Sequence, residues 1–285
     1  MDLHSKVAIK RWVFRSALVT IVAVALLFTT SSCTVRTLIE VHDDASGRAE
    51  VTVVLHPVAV RYMSDIATVF GRSDPKAVEP FDVEAIVRAF STRPGVELES
   101  IEAKEGNTLR LKASFEDVRY LLAQPGELLP GTAPGVEGTP GTLGTPAAAR
   151  RVIAEPLLFV AGEGSYELTL RLTRSNFHRI SSLFILPESP LTVLLPYAVE
   201  DFLPKEEYLE VLTYALEDYL GPMSIEELVK EAGVYATIKT DGPVTAVSGG
   251  DISGGRARFF IPLIDALTLE EDLWLSARWH KGTAR

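Results

Sequence analysis

The chain has 285 residues, with 28 Lys and Arg against 38 Asp and Glu, a formal charge of −10. That surplus of acid argues against a nucleic-acid partner, which rewards clustered cations. A single cysteine excludes an internal disulfide or a cysteine metal cluster as the source of stability, so the 47 % of hydrophobic residues must build a core that stands alone.

The first fifteen residues carry four cations, Lys6, Lys10, Arg11 and Arg15, against one acid, Asp2. An apolar run from Ser16 to Phe28 follows, then Thr29-Thr30-Ser31-Ser32 and the lone Cys33. The run falls short of the ~20 apolar residues that a spanning helix needs, and a basic head with no cap does not suit a buried core helix. A basic head, an apolar middle and small residues at a scission point are the layout of a secretory signal. A cysteine just past that point narrows the reading. In these residues the chain resembles the signal peptide and lipobox of bacterial lipoproteins, with Thr30 standing where that family prefers an aliphatic residue. The resemblance implies residues 1–32 as a signal peptide cut between Ser32 and Cys33, and diacylglycerol on the Cys33 sulfur. It implies a body held on a membrane of the bacterial envelope, facing the periplasm or the exterior. Two acyl chains, at about 0.8 kcal/mol per buried methylene, hold where one short chain would let go. Residues 1–32 take four cations and one acid with them, leaving the body at −13.

Beyond the anchor, Val35–Val41 and Arg48–Leu55 read as a β-hairpin whose turn, His42 to Gly47, is longer than two residues. Pro57 closes the second strand, and Val60, Met63, Ala67 and Phe70 mark one face of a helix ending near Gly71. A second helix spans Val83–Phe90, capped by Asp82 and stopped by Pro94-Gly95. Val96–Ala103 and Thr108–Ser114 form another strand pair around Gly106-Asn107, and Phe115–Ala123 a short helix.

From Gln124 to Ala149 the composition changes. Six Gly and five Pro in 26 residues, with Glu127 and Glu137 the only charges, cannot bury enough apolar surface to offset ordering entropy, so a disordered loop is expected. Order resumes with Val152–Val160, a turn at Gly162-Glu163-Gly164, and the alternating strand Tyr166–Leu172. Ser175–Ile185 reads as a short helix and Leu191–Leu195 as a buried strand. Lys205–Leu220 places Tyr208, Leu212, Ala215, Leu216 and Tyr219 on one stripe with acids opposite. Ser224-Ile-Glu-Glu227 fits a capping box opening a helix that stops at Gly233. Tyr235–Thr240, Val244–Val247, Ala257–Ile261 and Leu273–Trp279 read as strands, the glycine-rich Ser248–Gly255 being a loop between two of them. No second membrane segment is expected.

Hairpins and helices in blocks point to α+β, an antiparallel curved sheet of hairpins with packed helices, rather than alternating βαβ. One domain made of residues 33–123 and 150–285, interrupted by the loop at 124–149, is expected, because each piece is short of strands to close a core.

Catalytic candidates are thin. Ser73-Asp-Pro-Lys76 has the Ser-x-x-Lys spacing and Lys239-Thr-Asp241 sits where a Lys-Thr-Gly would stand, but Gly71 and Pro75 make a loop of what should be a helix start. His42 and His56 lie a strand's length apart, too far to share a metal. Asp43 and Asp44 with Ser46 and Glu50 lack the alternating ligands of a calcium loop and suit an acidic turn. Tyr208, Tyr214 and Tyr219 fit core packing better than a ligand surface. No enzyme, cofactor or metal is expected.

The run from Thr240 to Leu263, T-D-G-P-V-T-A-V-S-G-G-D-I-S-G-G-R-A-R-F-F-I-P-L, resembles the closing hairpin of LppM-type envelope lipoproteins, with Ser248-Gly249 at its turn. The start, Cys33, a short strand, the turn Asp43–Gly47 and a second strand, is similar to theirs. The resemblance implies an α+β domain related in shape to lipid-holding folds and a ligand among envelope lipids or glycolipids. The alternative is a protein-interaction or scaffold lipoprotein whose contact is the acidic face or the loop at 124–149.

Overall fold

The computed structural model describes residues 32–69, 80–121, 156–177 and 202–282. The signal segment before Ser32, the loop at 124–149, Ser73 to Lys76, the strand expected at Leu191–Leu195 and most of the helix expected at Ser175–Ile185 lie outside them. Within them the fold is α+β: two open, mostly antiparallel sheets with helices packed on them.

Two hairpins start the chain. β1 (Thr34–Val41) and β2 (Gly47–Val54) pair in full register, as do β3 (Val96–Lys104) and β4 (Thr108–Phe115) apart from a bulge between Leu98 and Ser100. Between them come α1 (Pro57–Val69) and α2 (Val83–Ser91). Asp82 caps α2 by accepting the Ala85 amide at 2.8 Å, satisfying one of the donors that a helix start leaves open. Of the helix expected at Phe115–Ala123, the described residues show one 3₁₀ turn, Val118–Leu121; it starts later than expected because Phe115 still belongs to the strand and is buried.

β5 (Leu157–Ala161) and β6 (Ser165–Leu172) follow, then α3 (Lys205–Leu220) and α4 (Ile225–Lys230). α3 buries Tyr208, Leu212, Leu216 and Leu220, an unbroken i, i+4 row. The Ser224–Glu227 capping box of α4 is formed in both directions. The chain closes with β7 (Gly233–Thr240), β8 (Val244–Ser248), β9 (Asp251–Ser253), β10 (Arg256–Pro262), α5 (Leu263–Thr268) and β11 (Leu273–His280).

The first sheet has seven strands in the order β3-β4-β2-β1-β7-β10-β9, the second four in the order β5-β6-β11-β8. Strands from both sides of residues 124–149 meet in the first sheet, where β1 runs parallel to β7, Thr34 opposite Gly233 through Val41 opposite Thr240. Ser248–Gly255 is more than a loop, since Asp251–Ser253 pairs with Arg256–Arg258. The tight turn there is Gly254-Gly255, both with positive φ, while Ser248-Gly249-Gly250 carries the chain from one sheet to the other. A Cβ on Gly249 would stand 2.6 Å from the Trp274 carbonyl oxygen, and one on Gly250 would overlap that of Arg258, so the crossover has room only for glycine.

Three apolar clusters hold the assembly. Val41, Ala49, Ala113, Phe115, Ile238, Ala257 and Phe259 from the first sheet meet Leu168, Val244, Ala277 and Trp279 from the second. A second cluster gathers α1, α3, α4 and α5 around Leu212, Leu216, Ile225, Ile264 and Leu267. The third lies where α1 and α2 cover the end of the first sheet: Leu55, Met63, Phe81, Ile86 and Leu109.

Trp279 is the anchor between the sheets, fully buried, with its ring 5.9 Å from Phe159 and 5.8 Å from Tyr166. Its indole N–H finds no acceptor among the described residues. Trp279→Ala should therefore cost about 3–5 kcal/mol in urea unfolding, the usual range for emptying an aromatic site. Trp279→Phe should cost clearly less, because the unpaired donor leaves with the smaller ring; equal losses would contradict this packing.

Candidate anchoring site around Cys33

Ser32 and Cys33, half-buried, open the described chain, and the fold starts with them. The Cys33 carbonyl accepts the Gly233 amide at 3.0 Å, so the residue before β1 is already tied to β7. Its Sγ accepts the His56 amide at 3.3 Å and packs beside the cluster of Leu55, Met63, Phe81, Ile86 and Leu109. Burial pushes the thiol up from its ordinary value, the His56 N–H pulling weakly the other way. A free Cys33 is thus a poor thiolate and a poor nucleophile at neutral pH. Because the sulfur serves as an acceptor, a thioether could keep the same contact.

His56 is the supporting residue that the sequence did not disclose. It sits at the start of α1, where its carbonyl accepts the Val60 amide at 3.1 Å and its Nδ1 accepts the Val58 amide at 3.1 Å. An imidazole replaces the usual Ser or Asp at a helix start, and the bond requires an unprotonated Nδ1. Burial, and then the Arg61 charge, lower its pKa below the ordinary 6.5.

His42 lies at the opposite end of the hairpin, its Nδ1 2.9 Å from Asp241 Oδ1. Asp241 also accepts the Asp43 amide at 3.2 Å, and Asp43 accepts the Gly282 amide at 2.9 Å, clasping the β1–β2 turn, the β7–β8 turn and the chain end together. Asp44 accepts the Ser46 amide and hydroxyl at 3.0 and 2.6 Å, a local turn bond that holds its carboxyl below the usual range. Lys239 pairs with Glu40 at 2.8 Å and the Thr240 hydroxyl donates to the Gly242 carbonyl at 2.8 Å. The Lys239-Thr-Asp241 triplet is therefore occupied by turn and sheet bonds. Among the described residues no group of three His, Cys, Asp or Glu is placed to hold a metal ion.

The three tyrosines of α3 divide. Tyr208 is buried, which pushes its hydroxyl pKa up. The Tyr219 hydroxyl donates to Asp65 at 2.8 Å and its ring meets Tyr62 edge-on at 5.7 Å. Tyr214 is 80 % exposed and stands in a shallow open groove with Leu209, Thr213, Glu206, Glu210, Glu217 and, from α4, Glu226. The core reading fits the first two and fails for the third, whose i+3, i−4 and i−7 neighbours Glu217, Glu210 and Glu207 already placed it on the acidic side.

No family model and no curated protein matches the chain. Among solved structures it is similar to the NMR structure of the folded domain of LppM from Mycobacterium tuberculosis, at 14 % identity, with 90 % of this chain and 94 % of that one covered and a TM-score of 0.34. So distant a likeness carries no argument about ligand or role.

His56 makes stability pH-dependent. Its folded pKa is depressed, so as pH falls below about 6.5 the unfolded chain takes up a proton before the folded one does, and stability is lost. The lowered carboxyls of Glu40 and Asp44 act only further down, below their ordinary values of 4.5 and 3.8. The urea midpoint should fall between pH 7 and pH 5, and His56→Asn, which keeps an acceptor for the Val58 amide but does not titrate, should flatten that fall. An unchanged slope in His56→Asn would contradict this role.

Proposed function

We propose that this chain is a bacterial envelope lipoprotein, cut after Ser32 and acylated at Cys33, whose body binds lipid or glycolipid without catalysing a reaction. The observation that carries the proposal is the meeting of two features at one residue. The cysteine that ends the signal-like segment is also the residue at which the first sheet begins, bonded through its carbonyl to Gly233. A body attached there has no slack tether and stays against the bilayer. The apolar side chains of Leu55, Met63, Phe81, Ile86 and Leu109 next to the sulfur give acyl methylenes a compatible neighbourhood. Among the described residues no helix is long and apolar enough to cross a membrane.

A second reading has its own observation. The groove on α3, with exposed Tyr214 among Glu206, Glu210, Glu217 and Glu226, offers an aromatic anchor in an acidic rim, a surface suited to a protein partner.

Expression of the full chain in a bacterium, with intact-mass analysis of the membrane fraction, tests the first reading. The expected species begins at Cys33 and carries diacylglycerol, and Cys33→Ser abolishes both the added mass and the membrane retention. A Cys33→Ser protein of unchanged distribution and processing overturns the reading. Co-purification of lipid with the wild-type body supports the binding half; a single protein crosslinked through Tyr214, with no lipid retained, favours the scaffold.

A further inference from the structure

Among the described residues, helices and the second sheet cover the first sheet on one face only. Its strands alternate, so Ile39, Ala49, Ile238, Ala257 and Phe259 face the core while Arg36, Arg110, Tyr235, Arg258 and Phe260 stand on the other, solvent face. On that outer face the register sets one row across five strands: Arg110 opposite Thr52, Thr52 opposite Arg36, Arg36 opposite Tyr235, Tyr235 opposite Phe260. Arg258 lies two residues from Phe260 on the same side.

Two properties set this row apart. Its rings are solvent-facing yet packed on each other, Tyr235 and Phe260 being 37 % and 42 % exposed with centroids 4.6 Å apart. Among the described residues no carboxylate lies within ion-pair distance of Arg36, Arg110 or Arg258, although Asp251 of β9 stands opposite Arg258 in the register. Elsewhere on the same face charges are neutralised in pairs, Lys112 with Glu50 at 2.6 Å, Lys239 with Glu40 at 2.8 Å and Arg48 with Glu99 at 3.2 Å. The carboxylate nearest to Arg110 by register, Glu102, goes to Lys104 at 3.0 Å. Open cations and exposed rings thus gather in one row of a strongly acidic protein.

The row is also the one close to the anchor. Arg36 is three residues from Cys33 along an extended strand, about 10 Å, whereas the paired Glu40 and Lys239 lie further up the sheet. Amphipathic rings and arginine are the side chains that settle at a lipid–water boundary, ring against glycerol and guanidinium against phosphate.

We infer that the outer face of the first sheet, through Arg36, Arg110, Arg258, Tyr235 and Phe260, rests on the anionic phospholipid headgroups of the leaflet that holds the anchor. The inference builds on acylation of Cys33, which supplies the proximity that the body's net negative charge would otherwise oppose. The contact orients the protein, with the acidic outer face of α3, on the core side of that sheet, turned away from the membrane.

The test uses the full chain purified from bacterial membranes and placed in vesicles of phosphatidylcholine alone or with phosphatidylglycerol, followed by hydroxyl-radical footprinting. Tyr235 and Phe260 are expected to lose at least threefold in labelling rate in the anionic vesicles, with Tyr214 on α3 unchanged. The double variant R36E/R258E, whose substitutions are solvent-facing, should recover full labelling while remaining in the vesicle fraction. Equal labelling of Tyr235 and Phe260 in neutral and anionic vesicles, or protection that survives R36E/R258E, overturns the inference. Failure of the anchor reading shows differently, as a Cys33→Ser protein that keeps its membrane retention.

Discussion

The structure depends on the parallel pairing of β1 with β7. β1 lies in the middle of the first sheet, and without it the sheet would split into β3-β4-β2 and β7-β10-β9. The pairing joins residues about 199 apart in sequence, and side chains reinforce it at its far end through Lys239 with Glu40 and His42 with Asp241. Such a long-range contact brings chain-closure entropy that local hairpins avoid. It is offset by the apolar layer between the sheets, where Val41, Ile238 and Ala257 stand side by side against Trp279.

The strand that makes this pairing is the strand that follows Cys33, so the attachment proposed there and the folding of the sheet would share one element. The sulfur, the Cys33 carbonyl and the His56 amide form a small knot in which sheet, helix α1 and the N-terminal end of the body meet. His56 couples that knot to pH because its neutral ring caps the helix. The opposite end of the hairpin is closed by carboxylates, Asp43, Asp44 and Asp241, that accept amide and hydroxyl donors of turns. Asp43 and Asp44, which suit an acidic turn in the sequence, thus hold loops together with Asp241.

What the sequence disclosed were the elements with local signals. The hairpins β1–β2 and β3–β4, the Asp82 cap, the Ser224–Glu227 box and the stripe of α3 are all written within ten or so neighbouring residues. The pairing of β1 with β7 was not legible, because period-2 alternation fixes which face a residue takes but not which strand it joins. Neither was the use of Ser248–Gly255, where adjacency suggested a hairpin between β8 and β10 and the chain instead changes sheets at Gly249-Gly250. α5, six residues after Pro262, is too short to show a helical period. At the site, Cys33 could be singled out by being the only cysteine, while the His56 amide beneath it and the row of Arg36, Tyr235 and Phe260 emerge only once the strands are in register.

The most direct measurement of the central claim is amide hydrogen exchange of the full chain in membranes, read strand by strand. If the fold begins at Cys33 and turns on β1, the amides of Val35 to Val41 and of Val234 to Thr240 should be among the slowest to exchange and should open together. Fast, independent exchange of β1 beside a protected β7 would contradict the account.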